Sequence, residues 1–344
     1  MKRLLALAVV VAAGCGGSGD KKATEVVLVT HDSFAISKRV ERAFERESGL
    51  RLRILQSGDA GEALNRALLT AGNPEGDVFF GVDNNLLSRA LDGKLFAPYK
   101  PKALDRLDDQ FLLDDRHRVT PVDHGEVCLN FDRGWFASHR IAPPRTLLDL
   151  TRPRFRKLLV VENPATSTPG VAFMLATVAQ FGEQGWRRYW ERLRKNDVLV
   201  TDGWEEAYTV RFSGAAGSKG RRPVVVSYAS SPAAEVFFAG RKLAEAPTGV
   251  VDSSCFRQVE LAGVLRGAPN EEGARKLVDF MLSPRFQAEV PLSMFVFPVR
   301  RGVPLPEVFR KHAIVVQKPL ELPPNAIGAN RDRWIREWTA TVLR

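Results

Sequence analysis

The chain has 344 residues, of which 44% are hydrophobic and 26% are charged, and its formal net charge is +10 at pH 7. This length exceeds what one hydrophobic core usually serves, so we expect two lobes. Basic residues are scattered and interleaved with acidic ones, as in the run RRYWER at 187–192, and no aromatic-basic stacking motif appears. We therefore exclude nucleic acid as a partner and attribute the charge to a basic, solvated surface near an anionic membrane.

The first residues predict a lipoprotein signal peptide at 1–15. Lys2 and Arg3 precede the apolar stretch Leu4–Val11, and Ala12–Gly14 supplies small residues before Cys15. The apolar stretch is far shorter than the roughly 20 residues of a membrane-spanning helix. We expect Cys15 to carry the lipid anchor, with a polar tether at 16–23; an ordinary signal peptide that happens to contain a cysteine is the alternative.

The segment from residue 24 onward predicts a βαβαβ unit, a parallel sheet with helices on both sides. Its strands are expected at Glu25–Thr30, around Leu52 and Ile54, and at Asp77–Val82. Helices that end at Gly49 and Gly72 separate these strands.

A second unit of the same kind is predicted beyond residue 130. Its strands are expected at Leu158–Val161 and Pro223–Tyr228. One helix is expected at Pro169–Phe181, and a second carries the apolar stripe Trp186, Tyr189, Trp190 and Leu193. The loop at 213–222 is expected to be an exposed hairpin insertion.

The chain is then expected to return to the first unit through a strand at Val259–Val264 and a helix at Glu271–Leu282. A closing helix that carries Trp334, Ile335 and Trp338 would hold the second unit. These elements predict an α/β two-lobed clamshell, each lobe a mainly parallel sheet flanked by helices. Lobe 1 would comprise 24–125 and 258–298, and lobe 2 would comprise 126–257 and 299–344.

Polar and aromatic side chains follow the predicted strands where the strands end. These segments are His31–Phe34, Gly58–Asp59, Asp83–Asn85, Asp123–Glu126, Thr166–Gly170, Asp202–Tyr208 and Ser227–Pro232. Each alone is explained as a helix cap or turn, the role we expect for Asp83 and Asn84, and Tyr208 is expected in the core. Because carboxyl ends of strands meet in the cleft of such folds, their recurrence predicts a ligand site whose acidic wall selects a cation.

In this order, and with the run VDNNLL at 82–87, these segments resemble the periplasmic thiamine-binding proteins of ABC importers. Further matches are LNR at 64–66, FMLSP at 280–284, FPV at 297–299 and WIREW at 334–338. The resemblance implies a periplasmic-binding-protein clamshell of type II that captures thiamine or a thiamine phosphate and delivers it to an ABC permease. It also implies a monomer without enzymatic activity, cofactor or metal. Together with the lipid expected on Cys15, it predicts a location in the periplasm or at the cell surface.

Carried over residue by residue, the resemblance places the family's ligand carboxylate on Asp59 and its phosphate or hydroxyl loop on 167–170. The family's tryptophan falls on Trp204 and its tyrosine on Tyr228, whereas a tryptophan is replaced by Phe295. Tyrosines are replaced by His31 and Ala234, which predicts weaker stacking on the pyrimidine. The expected ligand-binding residues are His31, Asp32, Asp59, Asp123, Ser167, Thr168, Gly170, Trp204, Tyr228, Ser231 and Phe295.

Two alternative functions can be weighed against thiamine binding by particular residues of the chain. A clamshell iron(III) receptor needs paired tyrosinates, and the chain has four tyrosines with no adjacent pair. A thiaminase-like enzyme would use Cys128 as its nucleophile, with Glu126 or Glu235 as base; the alternative for Cys128 is a small buried residue in a strand. Cys128 and Cys255 could also pair in an oxidising compartment, but two cysteines alone do not establish a bridge.

Overall fold

The computed structural model describes residues 24–240 and 243–344. The predicted signal peptide and Cys15 lie outside the described residues. Within those two ranges, no helix is both long and apolar enough to cross a membrane.

Within the described ranges, the strands form one continuous sheet in the order β2-β1-β3-β8-β4-β7-β5-β6, and β9 pairs with β4. Their bounds are β1 Glu25–Thr30, β2 Arg51–Gln56, β3 Val78–Asp83, β4 Thr120–Asp132, β5 Leu159–Glu162, β6 Leu199–Thr201, β7 Val224–Tyr228, β8 Thr248–Val264 and β9 Phe297–Pro298.

Helices flank both faces of this sheet. They are α1 Lys38–Ser48, α2 Ala60–Leu69, α3 Leu87–Asp92, α4 Arg133–His139, α5 Thr168–Lys195, α6 Ser231–Phe238, α7 Glu271–Met281, α8 Pro284–Ser293, α9 Glu307–His312 and α10 Pro324–Val342. Shorter turns are the 3-10 segments Leu104–Arg106, Asp109–Phe111, Leu147–Thr151 and Pro153–Phe155 and the π-helix Glu206–Arg211. The two successive helices predicted over α5 meet at Gly182, whose φ of 65° interrupts the helix.

Among the named strands of the described ranges, parallel pairs lie in the two outer parts of the sheet. Strand β1 pairs in parallel with β2 and β3, and β5 pairs in parallel with β6 and β7. The central strands β8 and β4 pair antiparallel with each other and with β3 and β7. The mixed sheet with flanking helices confirms the α/β class. Its centre is antiparallel because the two long strands β4 and β8 run between the two halves that the sequence predicts.

A disulfide joins Cys128 of β4 to Cys255 of β8. The two strands pair at Val127 with Phe256 and again at Leu129 with Val251, so 252–255 lie opposite Cys128 alone. Both cysteines are fully buried. The sequence left this bridge open; in the structure it holds the central strands together at a break in their register.

The predicted apolar stripes form the core. Trp186, Tyr189, Trp190 and Leu193 are all buried. The closing helix α10 packs on α5, with the rings of Trp190 and Trp338 in an edge contact 5.3 Å apart. It also reaches β3's side of the molecule, where Arg331 Nη1 donates to the Asn85 carbonyl at 3.1 Å.

Candidate functional site

A cavity of about 740 Å³ lies at the carboxyl ends of the strands. Eight of the expected ligand-binding residues line it: His31, Asp32, Asp59, Thr168, Trp204, Tyr228, Ser231 and Phe295. Asp123, Ser167 and Gly170 do not line it. The strand ends singled out in the sequence therefore converge, although not every polar residue there faces the open space.

Asp59 joins the two sides of the cavity. It precedes α2, yet its side chain does not cap that helix. Instead its carboxylate accepts hydrogen bonds from the backbone N–H groups of Trp204, at 3.1 Å, and Thr168, at 3.3 Å. Burial raises the pKa of Asp59 to about 6, against the lowering effects of the Trp204 hydrogen bond and nearby His31.

Close backbone contact accompanies this link. The N–H of Glu62 donates to the Thr166 carbonyl at 2.9 Å. A Cβ on Gly61 would lie 2.4 Å from that same carbonyl oxygen, so a side chain at this position would force the two sides apart. Ala60 directly follows Asp59, and the glycine that the contact needs is the next residue, Gly61.

We call Asp32, Asp59 and Glu260 the acidic wall, since each lines the cavity. His31 also lines the cavity, with its Nε2 3.4 Å from Glu260 Oε1. Burial disfavours the imidazolium, but Glu260, with help from Asp59 and Asp32, outweighs it and raises the pKa of His31. The neighbouring carboxylates therefore favour the charged form of His31.

We call Trp204, Tyr208 and Tyr228 the aromatic wall. Trp204 stacks on Tyr208 with ring centroids 4.9 Å apart and meets Tyr228 at 6.4 Å in an edge contact. Trp204 Nε1 donates to Ser227 Oγ at 3.0 Å. The Ser227 hydroxyl also forms a hydrogen bond with the Ser231 hydroxyl at 2.8 Å. Ser231 therefore helps to hold the Trp204 ring in place through Ser227.

The Tyr228 ring is also held by hydrogen bonds. Its hydroxyl donates to Gln258 Oε1 at 2.9 Å, and Gln258 Nε2 donates to Thr168 Oγ1 at 3.0 Å. The chain of bonds runs from β7 through β8 to the start of α5. Tyr228 thus presents its ring to the cavity in a fixed orientation.

The backbone N–H groups in the first turn of α5, where the resemblance implies a phosphate or hydroxyl loop, are already bonded within the protein. Thr168 N–H is bound by Asp59, Pro169 has no N–H, and Gly170 N–H donates to Ser167 Oγ at 3.5 Å. Val171 N–H donates to the Ser167 carbonyl. Ser167 is therefore a helix cap, the alternative interpretation of this motif.

Gly170 and Asp123 are both packed away from the cavity. A Cβ on Gly170 would come within 2.8 Å of the Glu162 carbonyl, so this glycine permits α5 to approach β5. Asp123 is fully buried and pairs in register with Glu260 across β4 and β8. Burial, with Glu260 next, raises the pKa of Asp123 well above its usual range.

The ligand-binding residues expected from the sequence leave out three lining carboxylates, Glu205, Glu235 and Glu260, and one lining ring. Glu205 directly follows Trp204, and burial, then Asp32, raises its pKa. Tyr208, expected only in the core, lines the cavity while buried, and its hydroxyl donates to Glu235 Oε1 at 2.6 Å. The four-residue spacing from Trp204 was the available signal, because such residues share one helical face.

The loop at 213–222 also reaches the cavity, contrary to the expectation of a merely exposed insertion. Ala216 and Gly217 line the cavity, and Ala216 N–H donates to Glu235 Oε2 at 2.6 Å. Glu235 is buried and receives bonds from both Tyr208 and this loop. It therefore fixes the loop against the aromatic wall.

Phenylalanines surround the remaining side of the cavity. Phe295, half-buried at a φ of 55°, stacks at 6.3 Å on Phe309 and contacts Phe238 at 5.1 Å. Phe238 lines the cavity and is 59% exposed. This apolar rim completes a site whose two main walls are acidic and aromatic.

Asp83 and Asn84 have the structural roles expected from the sequence. Asp83 accepts from the N–H groups of Asn85 and Leu86 and so holds the turn after β3. Asn84 pairs with Val259 N–H at 2.8 Å. In the part of the chain that the structure describes, no group of three or more His, Cys, Asp or Glu side chains has the arrangement of a metal site.

The hypothesis that Cys128 is a nucleophile is wrong for this structure. Its sulfur is bonded to Cys255, it is fully buried, and it does not line the cavity. A nucleophilic cysteine must be an accessible thiolate.

Residues 73–313 match the model of a family described as bacterial extracellular solute-binding proteins. The chain belongs to this family. It is 30% identical over 331 residues to the thiamine-binding periplasmic protein of Escherichia coli strain K12, covering 93% of this chain and 94% of the relative. It is 27% identical over 326 residues to the protein of the same name in Brucella melitensis, covering 93% and 92% of the two chains.

A solved periplasmic thiamin-binding protein has the same architecture. It superposes with a TM-score of 0.82 at 29% identity, covering 95% of this chain and 98% of the other. The clamshell fold expected from the sequence is confirmed, and so is the family resemblance.

Proposed function

We propose that this protein captures thiamine, or one of its phosphate esters, in the cavity between the acidic and aromatic walls. One observation carries the proposal: the Asp59 carboxylate, Trp204 and Tyr228 border the same cavity of about 740 Å³. Thiamine combines a permanently cationic thiazolium with a flat aminopyrimidine. A carboxylate complements the first, and rings stack on the second.

The proposed mechanism is closure of two lobes, 24–125 with 258–298 and 126–257 with 299–344, around the ligand. Asp59 supports it because this one carboxylate contacts backbone groups of α5 and of the segment before the π-helix. A ligand that contacts both walls gains affinity only in the closed arrangement and so shifts the population toward it. The closed, loaded form would then be the one delivered to an ABC permease.

Titration calorimetry of the purified chain with thiamine, together with native mass spectrometry, tests this proposal. We expect one bound thiamine per monomer, quenching of tryptophan fluorescence through Trp204, and recovery of the ligand unchanged. Absence of heat and of any mass shift with thiamine and with both of its phosphate esters would reject the proposed ligand.

We further propose that Cys15 carries the lipid that holds this receptor at the periplasmic or outer surface of a membrane. The support is the Lys2–Arg3 and Leu4–Val11 pattern before Ala12–Cys15. Fractionation of cells tests it: the native protein should sediment with membranes, and the Cys15→Ser form should not. Equal distribution of both forms would contradict lipidation at this residue.

A further inference from the structure

Three carboxyl groups lie in one row across the middle of the sheet. Glu260 of β8 pairs in register with Asp83 of β3 on one side and with Asp123 of β4 on the other. Side chains of residues that pair in register lie on the same face of a sheet, and like charges directly opposite one another are destabilising. Each carboxyl group in this row therefore needs a group that compensates its charge, or must stay neutral.

Two of the three carboxyl groups adjoin groups that stabilise a negative charge. Asp83 accepts hydrogen bonds from the backbone N–H groups of Asn85, at 3.0 Å, and Leu86, at 2.9 Å. Burial nevertheless raises the pKa of Asp83 to about 7. Glu260 faces His31 inside the cavity, with Oε1 3.4 Å from the imidazole Nε2. The charge of Glu260 therefore has a cationic partner, and that of Asp83 has two backbone donors.

Asp123 differs from both. Its side chain is fully buried, and neither of its carboxyl oxygens has a hydrogen-bond donor among the N–H and O–H groups of the described residues. Its in-register neighbour in β9 is Pro298, which has no N–H to offer. Burial, then the charge of Glu260 and a hydrogen bond to that side chain, raise the pKa of Asp123 well above its usual range. Two carboxyl groups form a hydrogen bond only when one of them keeps its proton.

We infer that Asp123 is a neutral carboxylic acid at pH 7 that donates a hydrogen bond to Glu260 and so positions the Glu260 carboxylate beside His31. The proton belongs to Asp123 because Glu260 has a cationic partner, whereas Asp123 has none among the described residues. Other titratable groups that interact with this pair include Asp83 and Tyr228.

Asp123 is therefore a positioning residue for the site. It does not line the cavity, so its effect on a ligand passes through Glu260, which does. The expected effect on affinity rests on the function proposed above, whereas the protonation of Asp123 does not. The two parts of the inference are tested separately for that reason.

Infrared spectroscopy of the chain without ligand, near neutral pH in D2O, tests the protonation. We expect Asp123→Asn to lose one C=O stretching band of a protonated carboxyl group, because the substitution replaces a neutral acid by a neutral amide. Loss of carboxylate bands instead would show that Asp123 is ionised and would overturn the inference. Thr248→Val is the matched control and should change neither set of bands, since Thr248 is a buried residue of the same strand pair whose hydroxyl also has no partner among the described residues.

Calorimetry with thiamine tests the positioning role. Asp123→Ala removes the donor to Glu260, and we expect thiamine to bind at least about fivefold more weakly, the scale of one hydrogen bond to a charged group. Asp123→Asn keeps a neutral donor at the same place, and we expect it to restore the affinity to within about twofold of the native value. A loss in Asp123→Asn as large as that in Asp123→Ala, or no loss in either, would contradict the positioning role.

The His31 ring supplies a readout that a merely structural role would not move. Proton NMR titration should give His31 the same raised pKa in the native chain and in Asp123→Asn, and a lower one in Asp123→Ala, because Glu260 is then no longer held beside the imidazole. A lower His31 pKa in Asp123→Asn would show that a negative charge had been removed and would overturn the neutral state of Asp123. Failure of the native chain to bind thiamine would reject the proposed function and would leave the infrared and NMR results on Asp123 to stand.

Discussion

The acidic and aromatic walls of the cavity are held in different ways. The polar group of each side chain in the aromatic wall donates a hydrogen bond to the protein: Trp204 to Ser227, Tyr208 to Glu235 and Tyr228 to Gln258. In the acidic wall, burial raises the pKa of Asp59 to about 6, so its charged form is less favoured than it would be in water. The aromatic wall is therefore preorganised, whereas the acidic wall gains from a cation.

This difference separates two contributions to binding. Loss of an aromatic side chain removes contact area and stacking, which do not depend on pH. Loss of an acidic side chain removes charge complementarity, which does. The predictions below are ordered by their expected effect on thiamine affinity, from the largest to the smallest.

Removing the charge of Asp59 should have the largest effect. We expect Asp59→Asn to weaken thiamine binding by about 2 to 3 kcal/mol, the range for hydrogen bonds and close contacts to charged groups. The amide oxygen can still accept from Trp204 N–H, so the fold should persist. Calorimetry measures the change; Glu62→Gln, an exposed position on α2 outside the lining, is the control. An Asp59→Asn protein with native affinity would show that the acidic wall does not bind the cation.

Truncating the aromatic wall should have a smaller effect. Tyr228→Ala should cost about 1 to 2 kcal/mol of affinity, the scale of a desolvated cation–π contact. Tyr228→Phe should cost less, because it retains the ring and loses only the bond to Gln258. Leu69→Ala tests for unspecific effects, since Leu69 is 88% exposed and does not line the cavity. Unchanged affinity in Tyr228→Ala would remove this ring from the site.

Acidification should weaken binding through the acidic wall. Below the pKa of Asp59, about 6, the carboxylate becomes protonated and loses its attraction for a cation. His31, whose pKa is raised above the usual 6.5, takes up its proton at higher pH than Asp59 and adds little to this change. We expect affinity to fall by up to about tenfold between pH 6 and pH 5.

The Asp59→Asn variant isolates this pH effect. Proton uptake by the ligand itself is common to both proteins, so the difference between their pH profiles belongs to Asp59. The titratable groups that interact electrostatically with Asp59 include His31, Asp32, Glu162 and Tyr228. Parallel profiles from pH 5 to pH 8 would show that Asp59 does not titrate on binding.

Much of the fold followed from local patterns in the sequence. Ser37 caps α1 and Gly49 ends it at a φ of 72°, as apolar spacing and a terminal glycine predict. The length of β8 did not follow: only Val259–Val264 was recognised, because Asp252, Ser253 and Ser254 interrupt the apolar pattern. Those residues fall where β4 and β8 lose register, which depends on the partner strand.

The site was predictable to the extent that strand ends converge. Asp59 and Trp204 were recognised separately, but the hydrogen bond between them joins residues 145 positions apart and leaves no local signal. Likewise, no spacing showed that Asp59 would occupy the N–H of Thr168. The phosphate or hydroxyl role that the resemblance implies for 167–170 therefore takes no account of this tertiary partner of α5.

The disulfide should have the smallest effect on affinity, although it stabilises the fold. Cys128 and Cys255 join the strands that connect the two walls but lie outside the cavity lining. We expect Cys128→Ala with Cys255→Ala to lower the free energy of unfolding by about 2 to 4 kcal/mol, since the bridge restricts the unfolded chain. Thiamine affinity should stay within about tenfold, or 1.4 kcal/mol, because every contact of both walls is retained. Denaturant unfolding measures the stability, and calorimetry on the same preparations measures the affinity. Chromatography after incubation with an added thiol or amine acceptor should recover intact thiamine from both proteins. Release of free thiazole by the native chain, but not by the double variant, would contradict a purely structural role for Cys128.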